Sequence, residues 1–88
     1  MSRYIVAHTA PMTEQQVNEM LKSPPNFPAG IACHYTWFDF SAGKFFCEWE
    51  APNKESVEQS IRAMNMPFDV VYPVRRLAWA TGQLEPAP

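Results

Sequence analysis

Two glutamates and a histidine form the most informative group of polar residues in the chain. Glu48 and Glu50 are two positions apart, so a strand would place both carboxylates on one face. Imidazole and carboxylate groups bind divalent first-row metals and also serve as general acids and bases. The pattern therefore predicts a metal site or an acid–base site, provided that His34 lies on a neighbouring strand.

A β-hairpin is the element that would bring these residues together. Residues 31–51, IACHYTWFDFSAGKFFCEWEA, are rich in aromatic and β-branched residues on both sides of a break at Ser41-Ala42-Gly43. A three-residue turn there pairs Phe38 with Phe46, Thr36 with Glu48 and His34 with Glu50. A two-residue turn at Ala42-Gly43 would change every cross-strand partner, and this alternative stays open.

Alternation along the two strands divides the hairpin into two faces. One face carries His34, Thr36, Phe38, Phe46, Glu48 and Glu50. The other carries Tyr35, Trp37, Phe45, Cys47, Trp49 and Ala51. The second face is almost entirely apolar and is expected to lie against helices, whereas the first is expected to form the open face of the sheet.

The mixed face supports a metal-binding hypothesis. Its ligands would be His34, Glu50 and Glu48, with His8 added if the first strand presents it on the same side. Nickel, copper and zinc are the divalent metals that suit such a set. The simpler interpretation is a cross-strand His34–Glu50 pair at a dimer interface and a solvated His8.

The same face also supports an enzyme hypothesis. Glu48 and His34 would be the catalytic residues of a cofactor-independent oxygenase or isomerase that acts on a small aromatic molecule. Phe38, Phe46 and Thr36 would line its pocket, since ligand sites are mostly apolar with a few polar groups. The alternative for these aromatics is core and interface packing, which leaves a third hypothesis of an assembly domain without a small ligand.

Cys33 and Cys47 are the two cysteines of the chain. The three-residue-turn register sets Cys47 opposite Trp37 and therefore separates the two thiols too far for a disulfide. Cys47 would have Trp37, Phe45 and Trp49 as neighbours, with no cation to activate it. Two free thiols are expected, and a buried, inert Cys47 is favoured over a soft metal ligand or a redox thiol.

The order of the elements predicts the fold. A strand over residues 3–9 precedes a helix that begins at Thr13, whose capping box includes Gln16. The hairpin follows, and Asn53 is the expected N-cap of a second helix. A last strand over residues 68–79 contains Pro73, which predicts an edge strand or a bulge.

This β-α-β-β-α-β order is the ferredoxin-like arrangement of the α+β class, with one antiparallel four-stranded sheet and both helices on one face. Residues 1–79 are expected to form a single domain, and residues 80–88 a loosely held tail. The aromatic open face predicts a homodimer of the dimeric α+β barrel type.

Composition narrows the range of partners and locations. The 88-residue chain has a formal net charge of −2 and no basic run, which argues against nucleic acid or an anionic membrane as a partner. The sequence has no apolar run of bilayer-spanning length and begins without a signal-peptide pattern. A cytoplasmic protein is expected.

Three segments resemble a family of small ferredoxin-like proteins that includes an actinobacterial nickel-binding protein. They are YIVAH near the start, KFFCEWEAPNKESVEQSIR in the middle and MPFDVVYPVRRL near the end, and the element running from Cys47 to Pro52 is the most specific. The resemblance implies the ferredoxin-like fold and a dimer in which open sheet faces meet. A histidine-rich nickel site would not fit a chain with two histidines.

Overall fold

The computed structural model describes residues 2–85, which form an antiparallel sheet, two helices and a short separate hairpin. The elements are β1 (Ser2–Thr9), α1 (Glu14–Leu21), β2 (Ala32–Asp39), β3 (Lys44–Ala51), α2 (Lys54–Ala63), β4 (Val70–Val74), β5 (Arg76–Ala78) and β6 (Gln83–Glu85). The four-stranded sheet has the order β2-β3-β1-β4. This α+β arrangement is consistent with the predicted ferredoxin-like fold.

Both helices begin where the sequence predicts, because their first turns are capped by side chains. The Gln16 amide N–H donates to Thr13 Oγ1 at 3.2 Å, and the Thr13 amide N–H donates to Gln16 Oε1 at 2.8 Å, which completes the capping box. The Ser56 amide N–H donates to Asn53 Oδ1 at 2.8 Å. Within residues 2–85, neither helix has the length and apolar character needed to span a bilayer.

The core lies between α2 and the central strands β1 and β3. Val57 and Ile61 of α2 are fully buried, as are Val6 of β1 and Ala51 of β3, and Trp49 is only 1% exposed. Phe27 from the loop after α1 contacts the Trp49 ring edge-on, with centroids 4.9 Å apart. The sequence predicts an inner stripe of Val57, Ile61 and Met64 on α2, and the burial of Val57 and Ile61 confirms it at those two positions.

Helix α1 behaves differently from α2, because it buries none of its residues. The sequence predicts a buried stripe of Val17, Met20 and Leu21, but Met20 is 40% exposed and Leu21 is 65% exposed. The prediction of a buried stripe is wrong for α1. A cavity lies between this helix and the sheet instead of a close-packed layer.

The hairpin turn is longer than predicted, and the reason is a local hydrogen-bonded turn at Asp39. Its carboxylate accepts from the Ser41 hydroxyl at 2.8 Å and from the Ala42 amide at 3.0 Å. Gly43 then takes a φ of +65°, which favours glycine. The connection runs over residues 40–43, so both predicted turn lengths are wrong, and the pairs from Tyr35 to Asp39 shift by one residue from the three-residue-turn register.

The shift exchanges the faces of residues 35–38 of β2 while leaving those of β3 as predicted. Phe38 pairs with Phe45 and Thr36 with Cys47, so both β2 residues lie on the helix side rather than the open side. Tyr35 and Trp37 instead lie on the open face, where they are 60% and 52% exposed. A β-bulge at His34, between Cys33 and Tyr35, then changes the register once more.

The C-terminal segment forms an edge strand followed by a separate hairpin. Pro73 lies in β4, which is an edge strand as its proline predicts. The predicted strand over residues 68–79 divides into β4 and β5, and β5 pairs with β6. The expected tail thus includes a paired strand at Gln83–Glu85, while residues 86–88 lie outside the described residues.

Candidate functional site

His34 and Glu50 make direct contact on the open face of the sheet. His34 Nε2 lies 2.9 Å from Glu50 Oε1, and about one third of each side chain is exposed, at 33% and 31%. The bulge on β2 turns the His34 side chain toward β3, although Glu50 pairs in register with Ala32. The predicted contact between His34 and Glu50 therefore forms, but it forms because of the bulge at His34 and not because the two residues pair directly across the strands.

The charge of Glu50 is stabilised by its neighbours. The hydrogen bond from His34 is the largest influence, and the positive charge of Arg3 adds to it, so the pKa of Glu50 is lowered. Arg3 Nη2 lies 3.8 Å from Glu50 Oε1. Glu50 thus presents an ionised carboxylate beside an imidazole, the pair of groups that a divalent transition metal takes up.

Glu48 lies on the same face but has different partners. It is 4% exposed, Arg3 Nη1 lies 3.2 Å from its Oε2, and Arg76 Nη1 lies 3.3 Å from its Oε1. Arg76 also pairs with Glu85 within the C-terminal hairpin at 3.0 Å, so its contact with Glu48 ties that hairpin to the sheet. The sequence indicates salt bridging for Arg76 but does not pair either arginine with Glu48, because Arg3 is distant in the chain and Arg76 follows the break between β4 and β5.

The space around Glu48 is too small for a substrate. A cavity of about 10 Å³ lies between Arg3, Glu48, Arg76 and Glu85. That volume accommodates about one water molecule, whereas pockets for small ligands measure roughly 300–1,000 Å³. The three residues predicted to line a pocket on this face do not share it, because Phe38 and Thr36 lie on the other side of the sheet from Phe46.

His8 is not part of the group on the open face. It is 2% exposed and stacks on Phe45 on the helix side, with ring centroids 4.3 Å apart. Of the four predicted metal ligands, the structure thus brings His34 and Glu50 into contact. Glu48 lies on the same face but pairs with two arginines, and His8 lies on the opposite face of the sheet. Within residues 2–85, no three histidine, cysteine or acidic side chains converge with a geometry that could hold a metal ion.

Cys47 and His8 are neighbours on the helix side, together with Cys33. The neighbouring side chains of Cys33, then His8 and Thr36, lower the pKa of the Cys47 thiol to about 5 against the opposing effect of burial. The same pairing with Cys47, together with burial, raises the pKa of Cys33. For His8, burial opposes protonation, but the interactions with Cys47 and the Pro67 carbonyl outweigh it and raise the pKa.

Both cysteines are free, as expected, but Cys47 lies in surroundings that favour its thiolate. The predicted neighbours of Cys47 were wrong in part, because the predicted register placed Trp37 opposite it, whereas Thr36 lies there and donates to its sulfur. A sequence clue was available for His8. It alternates with Tyr4 and Val6, both buried, and this spacing assigns the histidine to the covered face of β1.

The open face carries a cluster of exposed aromatic rings beyond the His34–Glu50 pair. Trp37 and Phe46 face each other across β2 and β3, and Tyr35 lies beside Trp37 with ring centroids 6.0 Å apart. Tyr72 extends the surface onto β4 and is 52% exposed. An apolar surface that spans several strands is typical of an interaction site.

Comparison with known proteins agrees with this architecture. A protein of Streptomyces coelicolor A3(2), whose structure is described as that of SCO4226, matches with a TM-score of 0.66 and 18% sequence identity, over 83% of this chain and 95% of the other. None of the curated proteins matches the chain. The model of a family described as "Nickel responsive protein SCO4226-like" matches residues 4–74, and the chain therefore belongs to the SCO4226-like family.

Proposed function

We propose that this protein is a small homodimeric module that binds a divalent transition metal, nickel first among the candidates, through His34 and Glu50. The observation that carries the proposal is the 2.9 Å contact between an imidazole nitrogen and an ionised carboxylate on the open face. The description of the family as nickel responsive agrees with this donor set.

Two protein ligands are too few for a specific site, and a second copy would supply the remainder. Glu48 is a poor ligand because two guanidinium groups occupy its carboxylate oxygens. A two-fold dimer that brings open faces together would contribute a second His34 and a second Glu50, giving four donors. The exposed aromatics Trp37, Phe46 and Tyr72 provide the apolar area for such an interface.

The test is metal binding by the tag-free protein. Equilibrium dialysis against nickel sulfate, followed by metal analysis, should give one nickel ion per two chains. His34→Ala and Glu50→Gln should each remove the bound nickel and leave the circular dichroism spectrum unchanged. Glu58→Gln is the matched control, because Glu58 is a partly exposed carboxylate paired with Arg62 on α2, away from the open face.

The dimer is tested separately by analytical ultracentrifugation. A mass of twice the 10.1 kDa chain is expected at micromolar concentration. Nickel that stays bound to His34→Ala, or a protein that binds no nickel, copper or zinc at all, would contradict the assignment of the metal site. A monomer with nickel bound through His34 would contradict only the contribution of the second copy.

A further inference from the structure

A cavity of about 370 Å³ lies on the helix side of the sheet, beneath α1 and the proline-containing loop that follows it. Its lining is mostly apolar and includes four methionines, Met12, Met20, Met64 and Met66. Cys47 also borders this cavity. The volume falls within the roughly 300–1,000 Å³ of pockets that hold small organic ligands.

The sulfur of Cys47 is surrounded by donors. The Thr36 hydroxyl donates to Cys47 Sγ at 3.3 Å, and the Cys33 thiol and the His8 imidazole lie close enough to the sulfur to favour its ionised form. Cys47 is only 7% exposed, so these groups replace water around the sulfur. A neutral thiol accepts hydrogen bonds weakly, whereas a thiolate is stabilised by such donors.

His8 is held in the orientation that a base for this thiol requires. Its Nδ1–H donates to the Pro67 carbonyl oxygen at 2.8 Å, which leaves Nε2 as the nitrogen that exchanges a proton. Nε2 is buried and has no hydrogen-bond partner within residues 2–85. A buried nitrogen without such a partner, beside a thiol, is explained if it takes the thiol proton.

We propose that Cys47 is a nucleophile that binds small apolar electrophiles covalently in this cavity, with His8 as its general base and Thr36 and Cys33 as donors that stabilise the thiolate. Nucleophile, base and orienting carbonyl form the set that activated cysteines share. This activity lies on the opposite side of the sheet from the His34–Glu50 pair and does not depend on it.

The chemistry of the site indicates the class of ligand. An α,β-unsaturated ketone or aldehyde with an apolar substituent matches the lining and reacts with a thiolate. The sulfur forms a bond to the β-carbon, the π electrons of the carbon–carbon double bond move to give an enolate, and the proton taken from the thiol returns to the α-carbon. The product is a thioether, and no oxidant or reductant is consumed.

The experiment uses 4-phenylbut-3-en-2-one as the apolar probe and acrylamide as a polar comparator, with intact-mass spectrometry and peptide mapping. One probe should add per chain, on Cys47, and should react faster than acrylamide when both rates are divided by their rates with glutathione. Cys33→Ser, which retains a donor, should still form the adduct, whereas Cys47→Ser should form none.

Two measurements test the activation of the thiol. His8→Gln should slow the addition by about 100-fold, the lower range of general-base catalysis. The unmodified protein should react at pH 6 at nearly its pH 8 rate, whereas a simple thiol with a pKa of about 8.5 slows roughly 75-fold over this interval.

Modification of Cys33 instead of Cys47, or a normalised acrylamide rate equal to that of the apolar probe, would overturn the proposal. A pH profile like that of glutathione would also overturn it, even if the His8 variant failed to fold.

Discussion

Replacing Glu48 with glutamine tests whether its carboxylate stabilises the folded protein through its ion pairs with Arg3 and Arg76. The change keeps the shape of the side chain but removes the charge that faces Arg3 at 3.2 Å and Arg76 at 3.3 Å. Removing one partner of a buried ion pair destabilises by about 3–5 kcal/mol, and removing a surface pair by about 0–1 kcal/mol. The Glu48 side chain is 5% exposed, but those of Arg3 and Arg76 are 24% and 49% exposed.

Water can therefore solvate the two arginines in part once the Glu48 charge is removed. We expect an intermediate decrease in the free energy of unfolding, of about 2 kcal/mol. This corresponds to about a 30-fold change in the unfolding equilibrium constant and a decrease in Tm of about 8–16 °C for a domain of this size.

The assay is urea unfolding followed by tryptophan fluorescence, to which the buried Trp49 contributes. Glu19→Gln is the control, because Glu19 pairs with Lys22 at 3.0 Å but the two side chains are 61% and 71% exposed. This control should lie within about 0.5 kcal/mol of the unmodified protein. If Glu48→Gln unfolds at the same urea concentration as Glu19→Gln, the two arginines do not depend on Glu48 and the reasoning is refuted.

Three further outcomes are expected. Because folding lowers the pKa of Glu50, its ionised carboxylate stabilises the folded protein above its unfolded-state pKa of about 4.3, and this stabilisation is lost as the pH falls through its lower folded-state pKa. A carboxyl NMR titration should show the pKa of Glu50 rising in His34→Ala. An unchanged pKa would contradict the His34–Glu50 contact. Asn53→Ala should lower the free energy of unfolding by about 1 kcal/mol. Thr13→Ala should lower it by less, because α1 buries no residue. Equal decreases in urea unfolding would show that α1 unfolds together with the core. Trp37→Ser should shift the sedimentation equilibrium toward the monomer if the open face forms the dimer, and an unchanged mass distribution would count against that interface.

Local patterns predicted the elements well, because each depends on contacts between residues close in the chain. Thr13 and Gln16 form the predicted capping box, and Asn53 caps the second helix as predicted. Pro73 marks an edge strand. The element order then determined the architecture, since few topologies accommodate β-α-β-β-α-β.

Register could not be predicted with the same success, and the candidate sites depended on it. The Asp39 carboxylate holds a turn one residue longer than the glycine alone indicates, and a bulge at His34 follows along β2. A shift of one residue exchanges the faces of a strand relative to its partner. The His34–Glu50 contact was found despite this shift, whereas the neighbours of Cys47 were not.

The two outer strands of the sheet determine how copies of this chain can associate. One edge, β2, is interrupted by its bulge, and the other, β4, contains a proline that lacks an amide hydrogen. Neither edge offers an uninterrupted row of donors and acceptors, which protects sheet proteins from edge-to-edge aggregation. Addition of strands from other copies is therefore disfavoured at both the β2 edge and the β4 edge. A single chain can thus expose its aromatic face without other copies extending its sheet into fibres.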